Sequence, residues 1–319
     1  MMDRRIVFMG TPPFAVASLA ALVKDGVDVA AVVTAPDRPA GRGQQVRTSA
    51  VKDHALADPL LRDRILQPER LRDPAFLAQL DRANAPLYVV VAFRMLPETV
   101  WQRPRLGTIN LHASLLPGYR GAAPINWAVM NGEQRTGATT FFLRHEIDTG
   151  DLIEQEATPI GAEETAGELH DRLMRIGAEM LVRSVNGIFA GTAARIPQTS
   201  LPGPLHHAPK LDPATCRIDW SRSVLQVHDH VRGLSPSPSA WSTFMLHRAP
   251  VRTKVHRTRL SDRTAQAAIG SAEAEGGHLY VRCGDGWIEI LELQPEGRRR
   301  MFVHEFLPGV RQGAELLFQ

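Results

Sequence analysis

Asn110 and His112 stand two residues apart in the run "GTINLHAS" (107–114), where Thr108, Asn110 and His112 alternate with Ile109 and Leu111. On a strand, residues two apart share a face, so an amide and an imidazole come side by side. An amide N–H aimed at a carbonyl oxygen stabilises a developing oxyanion, and one such donor is worth roughly two to three powers of ten in rate. A neighbouring imidazole moves protons near neutral pH. Ser114 follows without the G-x-S-x-G elbow of a serine hydrolase, so the set suits acyl transfer to an external amine. The bland alternative is a satisfied polar pair in the core, since a buried Asn or His without partners costs about 1–3 kcal/mol. Position weighs against it. The pair ends its strand, a Pro/Gly-rich loop follows, and open α/β sheets bind ligands outside the carboxyl ends of their strands.

An imidazole in this role needs an acid to orient it. "HEIDTGD" (145–151) follows the strand-like "TGATTFFL" and is expected at a sheet edge. It offers Glu146, Asp148 and Asp151, and spacing does not choose among them.

The elements that must position these groups alternate along the chain. "RRIVFMG" (4–10) reads as a strand, "PFAVASLAALVKDG" (13–26) as a helix with a terminal Gly, and "VDVAAVVTAP" (27–36) as a strand. A helix over Asp73–Asn84 precedes the apolar run "PLYVVVAF", and a long helix over "TAGELHDRLMRIGAEMLVRSVNGIFAG" closes the series. Such alternation predicts a Rossmann-like, mostly parallel doubly wound sheet over residues 1–190. "GTPPFA" holds one Gly at position 10, which predicts a tight strand-to-helix turn and not a dinucleotide fingerprint. Residues 191–208 are rich in Pro, Gly, Ser and Thr and are expected to be a linker. Residues 209–319 hold short strands, with Gly284-Asp285-Gly286 marking a hairpin, and predict a smaller barrel-like β domain.

A chain of 319 residues suits two domains, and 44 % apolar residues suffice for two cores. Net charge is +3. Residues 1–205 are neutral, with 22 Lys/Arg against 22 Asp/Glu, so the later part carries the whole excess. Within it His247–Arg263 has six cations and one anion, a candidate phosphate track if exposed. Cys216 and Cys283 are far apart and form no metal motif, which argues reduced thiols in a cytoplasmic protein. No signal peptide or bilayer-length apolar run is seen, so no membrane association is expected.

The stretch Asn110–Asp151 closely resembles the core of the folate-dependent formyltransferases, whose shared signature is an Asn-x-His strand end, a Ser-Leu-Leu-Pro loop and an Asp-x-Gly turn about forty residues on. "FMGTPPFAVASLAAL", "TAPDRPAGRGQ" and "CRIDWS" with "RGLSPSPSAW" resemble the members of that family that act on a charged tRNA. The resemblance implies Asn110, His112 and Asp148 as the catalytic trio, with Asp148 orienting His112 and favouring its protonated form. It implies Ser114, Leu115, Leu116 and Pro117 as a folate-binding loop, with backbone groups of Met95 and Leu96 on the pterin. Phe93-Arg94 stands where many relatives have Tyr-Gly. Arg38, Arg42 and Arg47, in the basic loop, would contact the tRNA acceptor end. The implied C-terminal domain is an OB-like β-barrel that binds tRNA. The implied reaction moves a formyl group from 10-formyltetrahydrofolate to the α-amino group of methionine on initiator tRNA, with no metal and in a monomer. A sugar-nucleotide formyltransferase would share the trio and the donor but would have no use for the basic loop and tail. A formyltetrahydrofolate hydrolase would match the first part only, and a non-catalytic RNA-binding protein would not need the trio.

Overall fold

The computed structural model describes residues 4–40, 45–200, 205–246, 249–310 and 316–319. The chain forms two compact units: Met1–Gly121, Gly137–Thr158 and His170–His207 make the first, and Ala122–Thr136, Pro159–Leu169 and Ala208–Gln319 the second.

The first unit is built on a seven-stranded sheet in the order Leu152–Pro159, Arg135–Phe142, Thr108–His112, Leu87–Val91, Arg5–Gly10, Asp28–Val33 and Ile65–Leu66. The five strands from Thr108–His112 to Ile65–Leu66 run parallel. Arg135–Phe142 pairs antiparallel with Thr108–His112, so the sheet is mixed at one end. All five residues of Leu87–Val91 are buried, as a strand covered on both faces requires. The helix Pro13–Lys24 starts on a proline, whose missing N–H is one that a first helical turn leaves unpaired anyway. Gly10 is required just before it. A Cβ there would lie 2.6 Å from the Ala15 Cβ and 3.0 Å from the Val91 carbonyl oxygen. The helix Pro74–Ala83 opens on Asp73, which accepts the Ala75 N–H at 2.9 Å, and closes on Asn84 in the left-handed region.

The strand before "HEIDTGD" is not an edge strand, because Leu152–Pro159 lies beyond it. The turn therefore follows an interior strand. Leu152–Pro159 itself, Pro124–Met130 and Val224–Leu234 are elements the sequence reading did not separate out.

The second unit is an antiparallel sheet in the order Ala240–Leu246, Ala249–Ser261, Trp287–Pro295, His278–Arg282, Ser271–Glu275 and Leu316–Leu317, with Met301–Phe302 added to Trp287–Pro295. It comes close to closing as a barrel. Phe244 bridges Phe318, and Thr243 and Gln319 exchange N–H···O bonds of 3.0 and 2.8 Å. The Gly284–Gly286 hairpin forms, with the Cys283 N–H on the Gly286 carbonyl at 2.8 Å. Both cysteines are free and buried, and burial pushes the Cys283 thiol up to about 12.

The helix Val224–Leu234 packs against this sheet and opens with a reciprocal cap between Ser223 and Gln226. His228, Asp229, His230 and Arg232 are buried, which the charged run "HDHVR" does not suggest. Arg232 donates to Asp229 at 2.8 Å and to the carbonyls of Gly161 and Glu164 at 3.2 and 3.0 Å. His228 meets the Thr258 hydroxyl at 3.0 Å and the Ala162 carbonyl at 3.3 Å.

Candidate active site

Asn110 sits in register between Val90 on the parallel side and Phe141 on the antiparallel side. Around it the strand Thr108–His112 is buried, and Asn110 alone is half-exposed. Thr108 leaves the row of three, since its hydroxyl donates to the Trp101 carbonyl at 2.6 Å. The Asn110 side chain makes no hydrogen bond among the described residues, so its amide is available to a ligand.

His112 is 6 % exposed. Its Nε2 lies 2.9 Å from the Tyr119 carbonyl oxygen. A carbonyl oxygen only accepts, so Nε2 carries the hydrogen and Nδ1 is the free nitrogen. Nδ1 faces Asp148 Oδ2 at 3.8 Å, too far for a direct hydrogen bond. Asp148 Oδ2 accepts the Gly121 N–H at 3.0 Å. The other two acids of the loop do not reach this place. Asp151 takes both hydrogen bonds of the Arg144 guanidinium, at 2.9 and 2.8 Å, and Glu146 is exposed.

Asp148 and Tyr119 both have positive φ, 55° and 60°. Such backbone costs energy in a residue with a side chain and persists where its surroundings hold it. The holding group at Asp148 is Gln198, which sequence reasoning missed. Its buried amide donates to the Asp148 and Gly150 carbonyls, each at 2.8 Å, while its oxygen accepts from Arg120 at 2.6 and 3.2 Å. Nothing in the Pro/Gly/Ser/Thr-rich stretch around Gln198 announces this. Gly150 must be glycine, since a Cβ would fall 1.6 Å from the Phe142 carbonyl oxygen. At Tyr119 the N–H donates to the His206 carbonyl at 2.7 Å, and the ring stacks on the His206 imidazole at 5.2 Å.

The loop after His112 is tied inward. Ser114 is fully buried; its hydroxyl donates to the Gly118 carbonyl at 2.7 Å and its carbonyl accepts the Thr139 hydroxyl at 2.6 Å. The Ser114 side chain therefore shapes the turn. Leu116 and Pro117 are buried, and Leu115 is half-buried. The Gln155 amide holds the Leu116 carbonyl at 2.8 Å. Met95 is 76 % exposed, while Leu96 packs with Phe93 on a core of Val7, Met9, Val33 and Val90. Arg94 donates to the Pro68 carbonyl, and to the Glu69 carbonyl at 3.0 Å, and lies 5.7 Å over the Phe93 ring. The departure Phe93-Arg94 thus fastens this loop to Pro68–Glu69.

Arg38 and Arg47 are exposed and directly paired across a two-stranded ribbon. No hydrogen bond or ion pair among the described residues joins them to the His112 group. Arg42 lies outside the described residues.

Comparison with known proteins gives the family. Residues 4–185 match the formyl transferase family, and residues 210–311 match the formyl transferase C-terminal domain. The chain is 47 % identical over 311 residues to the methionyl-tRNA formyltransferase of Bacteroides fragilis, covering 96 % of this chain and 95 % of the relative. It is 44 % identical over 306 residues to that of Flavobacterium johnsoniae, covering 96 % of each. Among solved structures it is similar to the sugar 3N-formyl transferase WlaRD, solved in the presence of dTDP and 5-N-formyl-THF, with TM-score 0.66 and 17 % identity over 94 % of this chain and 100 % of that one. HypX from Aquifex aeolicus, in complex with tetrahydrofolic acid, gives TM-score 0.64 at 17 % identity over 97 % of this chain and 48 % of that one. At such identities the structures speak for the fold, and the sequence relatives decide the branch: the chain belongs to the formyl transferase family, among the methionyl-tRNA formyltransferases.

Proposed function

We propose that this protein transfers the formyl group of 10-formyltetrahydrofolate to the α-amino group of methionine esterified to initiator tRNA. The observation that carries the chemistry is the unfinished polar group at the strand end. Asn110 has an unused amide, and His112 Nδ1 faces Asp148 across 3.8 Å with its other nitrogen tied down.

The reaction forms a bond between the attacking nitrogen and the formyl carbon, and breaks the bond from that carbon to N10. The Asn110 amide donates to the formyl oxygen as negative charge grows on it. The attacking amine must shed one proton and N10 must gain one. Nδ1 is the nitrogen of His112 able to take and return a proton, because Nε2–H stays on the Tyr119 carbonyl. Asp148, held by the Gly121 N–H and by Gln198 behind it, fixes the ring's partner and offsets charge on the imidazolium. The Ser114–Pro117 loop and the backbone of Met95 and Leu96 are assigned to the folate, and Arg38, Arg42 and Arg47 to the acceptor end of the tRNA. No helix among the described residues is long and apolar enough to cross a membrane. The reading places a monomer in the cytoplasm, where charged initiator tRNA is used.

The test is incubation with 10-formyltetrahydrofolate and charged initiator tRNA. N-formylmethionyl-tRNA should appear at a rate at least a hundredfold above that with an amino-sugar nucleotide as acceptor. Formylation of the sugar in preference to the tRNA overturns the reading.

A further inference from the structure

The cationic run of the second unit divides into two halves that its sequence does not distinguish. In the later half the charges are answered. Arg257 pairs with Glu168 at 2.6 Å and Arg259 with Glu289 at 2.7 Å. Arg263 pairs with Glu275 at 2.5 Å and also with Glu273. Of the arginines 298–300, Arg299 pairs with Glu305 and Arg300 with Glu292. In the earlier half the described cations are not. Arg252 and Lys254 are exposed and make no ion pair among the described residues, and the same holds for Arg217.

These three meet around one indole. Lys254 lies directly opposite Trp241 across the strand pair, and Arg252 lies opposite Thr243, two residues along on the same face. Arg217 bridges Trp241 on its other side. The guanidinium of Arg252 sits 4.0 Å over the Trp241 ring and that of Arg217 at 5.9 Å. The indole is itself fixed, its N–H on the Pro213 carbonyl at 2.8 Å. An arginine stacked on an aromatic face keeps its N–H fork free at the edge, in the geometry that fits phosphate. The two acids of the same segment hydrogen-bond locally and form no ion pair with these cations among the described residues, although Asp219 feels the charge of Arg217. Asp212 accepts the Thr215 N–H at 2.7 Å, and Asp219 accepts Ser221 at 3.0 and 2.6 Å. Three like charges ordered around a ring, none of them in an ion pair among the described residues, suit a polyanion whose charges repeat.

We propose that Arg217, Arg252 and Lys254, gathered on Trp241, are the phosphate-binding patch of the second unit, and that the paired arginines 257, 259 and 263 are not part of it. The occupant is an RNA backbone. The inference rests on the reading of the acceptor as a charged tRNA, and it says which surface of the unit holds that acceptor.

Phosphate contacts release counterions, so each lost contact lowers the slope of log affinity against log salt by about 1. The experiment compares the intact chain with Arg252→Gln/Lys254→Gln and with Arg257→Gln/Arg259→Gln, measuring tRNA binding from low to physiological salt and KM for the charged tRNA and the folate donor. The first variant should lose about 2 from the slope and bind tRNA about tenfold more weakly at the higher salt, with the folate KM unmoved. The second should keep the intact slope. Lys254→Gln alone, which leaves the stack on Trp241 whole, should lose about 1 and guards against a folding defect. Equal slopes for the intact chain and the first variant, or equal losses in the two double variants, overturn the patch while formylation by the intact chain upholds the functional reading. An intact chain that neither binds nor formylates tRNA overturns both.

Discussion

Each compact unit buries a small group of histidine and acid, and the two groups differ in whether they are finished. In the second unit Asp229 closes on Arg232, the remaining donors of Arg232 go to the Gly161 and Glu164 carbonyls, and both nitrogens of His228 have partners. In the first, His112 Nδ1 and Asp148 Oδ2 stop 3.8 Å apart and the Asn110 amide is unused. A satisfied buried network makes a unique packing, whereas one left open in a place a ligand can reach is set up for chemistry. The residue types are nearly the same. The teaching lies in the leftover valence.

The widest separation between the two groups should appear on truncation. His112→Ala and Asn110→Ala should each lower turnover at least about a hundredfold, the scale of a lost proton carrier or oxyanion donor. Asn110→Ala should leave the melting temperature nearly unchanged, since that side chain is half-exposed and has no partner to strand. Asp229→Ala should do the reverse. It leaves Arg232 buried without its carboxylate, at about 3–5 kcal/mol, with turnover of the folded fraction intact. Steady-state kinetics and thermal melts on the three variants check this, and a turnover loss in Asp229→Ala matching that in His112→Ala would erase the distinction.

A finer test stays inside "HEIDTGD". Asp148→Asn keeps the shape and removes the charge facing Nδ1, and should cost on the order of a hundredfold in turnover with a smaller effect on folate KM. Glu146→Gln should be near neutral, and Asp151→Asn should act only by releasing Arg144. If Asp151→Asn proves the most damaging of the three, the proton route does not run past Asp148.

Gln198 offers a smaller effect of a different kind. Gln198→Ala strips the donors from the Asp148 and Gly150 carbonyls, leaving buried acceptors at about 1–3 kcal/mol. Turnover should fall about tenfold, because a displaced orienting group costs less than a missing one. KM for both substrates should hold. Activity equal to the intact chain would mean that the positive φ of Asp148 is held by the turn alone.

Much of the architecture was legible because it is written in consecutive residues. The run Leu87–Val91, the Asp73 and Asn84 boundaries of one helix and the alternation through Asn110 and His112 each depend on neighbours in the chain. The carboxylate was harder, since three acids fall within six residues and only the distant geometry shows Arg144 holding Asp151 while Asp148 faces His112. Gln198 was illegible, because its role is to reach two carbonyls about fifty residues earlier. The helix Val224–Leu234 was hidden for a related reason. Its "HDHVR" reads as a solvated face until the Gly161 and Glu164 carbonyls are seen to satisfy it. The cationic run shows the same limit, since the acids that neutralise Arg257, Arg259 and Arg263 come from elsewhere in the chain.

The smallest effect tests two further buried histidines of the second unit. His230 and His256 are buried, His230 with its Nε2 unpaired, and burial is the main cause that lowers the pKa of each. At His230 a Cys216 backbone hydrogen bond and Asp219 oppose burial and Arg222 adds to it, and at His256 Gln294 and Glu292 oppose burial while Arg300 and Lys254 add to it. A folded pKa below the unfolded value means that the unfolded chain binds the proton first. Stability is therefore full above the unfolded histidine value of about 6.5 and falls as pH drops through it, by up to about 1.4 kcal/mol per pH unit for each group. The lowered carboxyls of Glu168, Asp212, Asp219 and Glu305 act below their ordinary values of 4.5 and 3.8, so they do not enter this window. Between pH 7.5 and 5.5 the melting temperature of the intact chain should drop by roughly 3–6 °C. His230→Gln/His256→Gln, although less stable at pH 7.5, should lose most of that dependence. A variant whose melting temperature still falls as steeply as that of the intact chain would show that these two histidines already take up protons in the folded state, and the second unit would then have no unfinished polar group of its own.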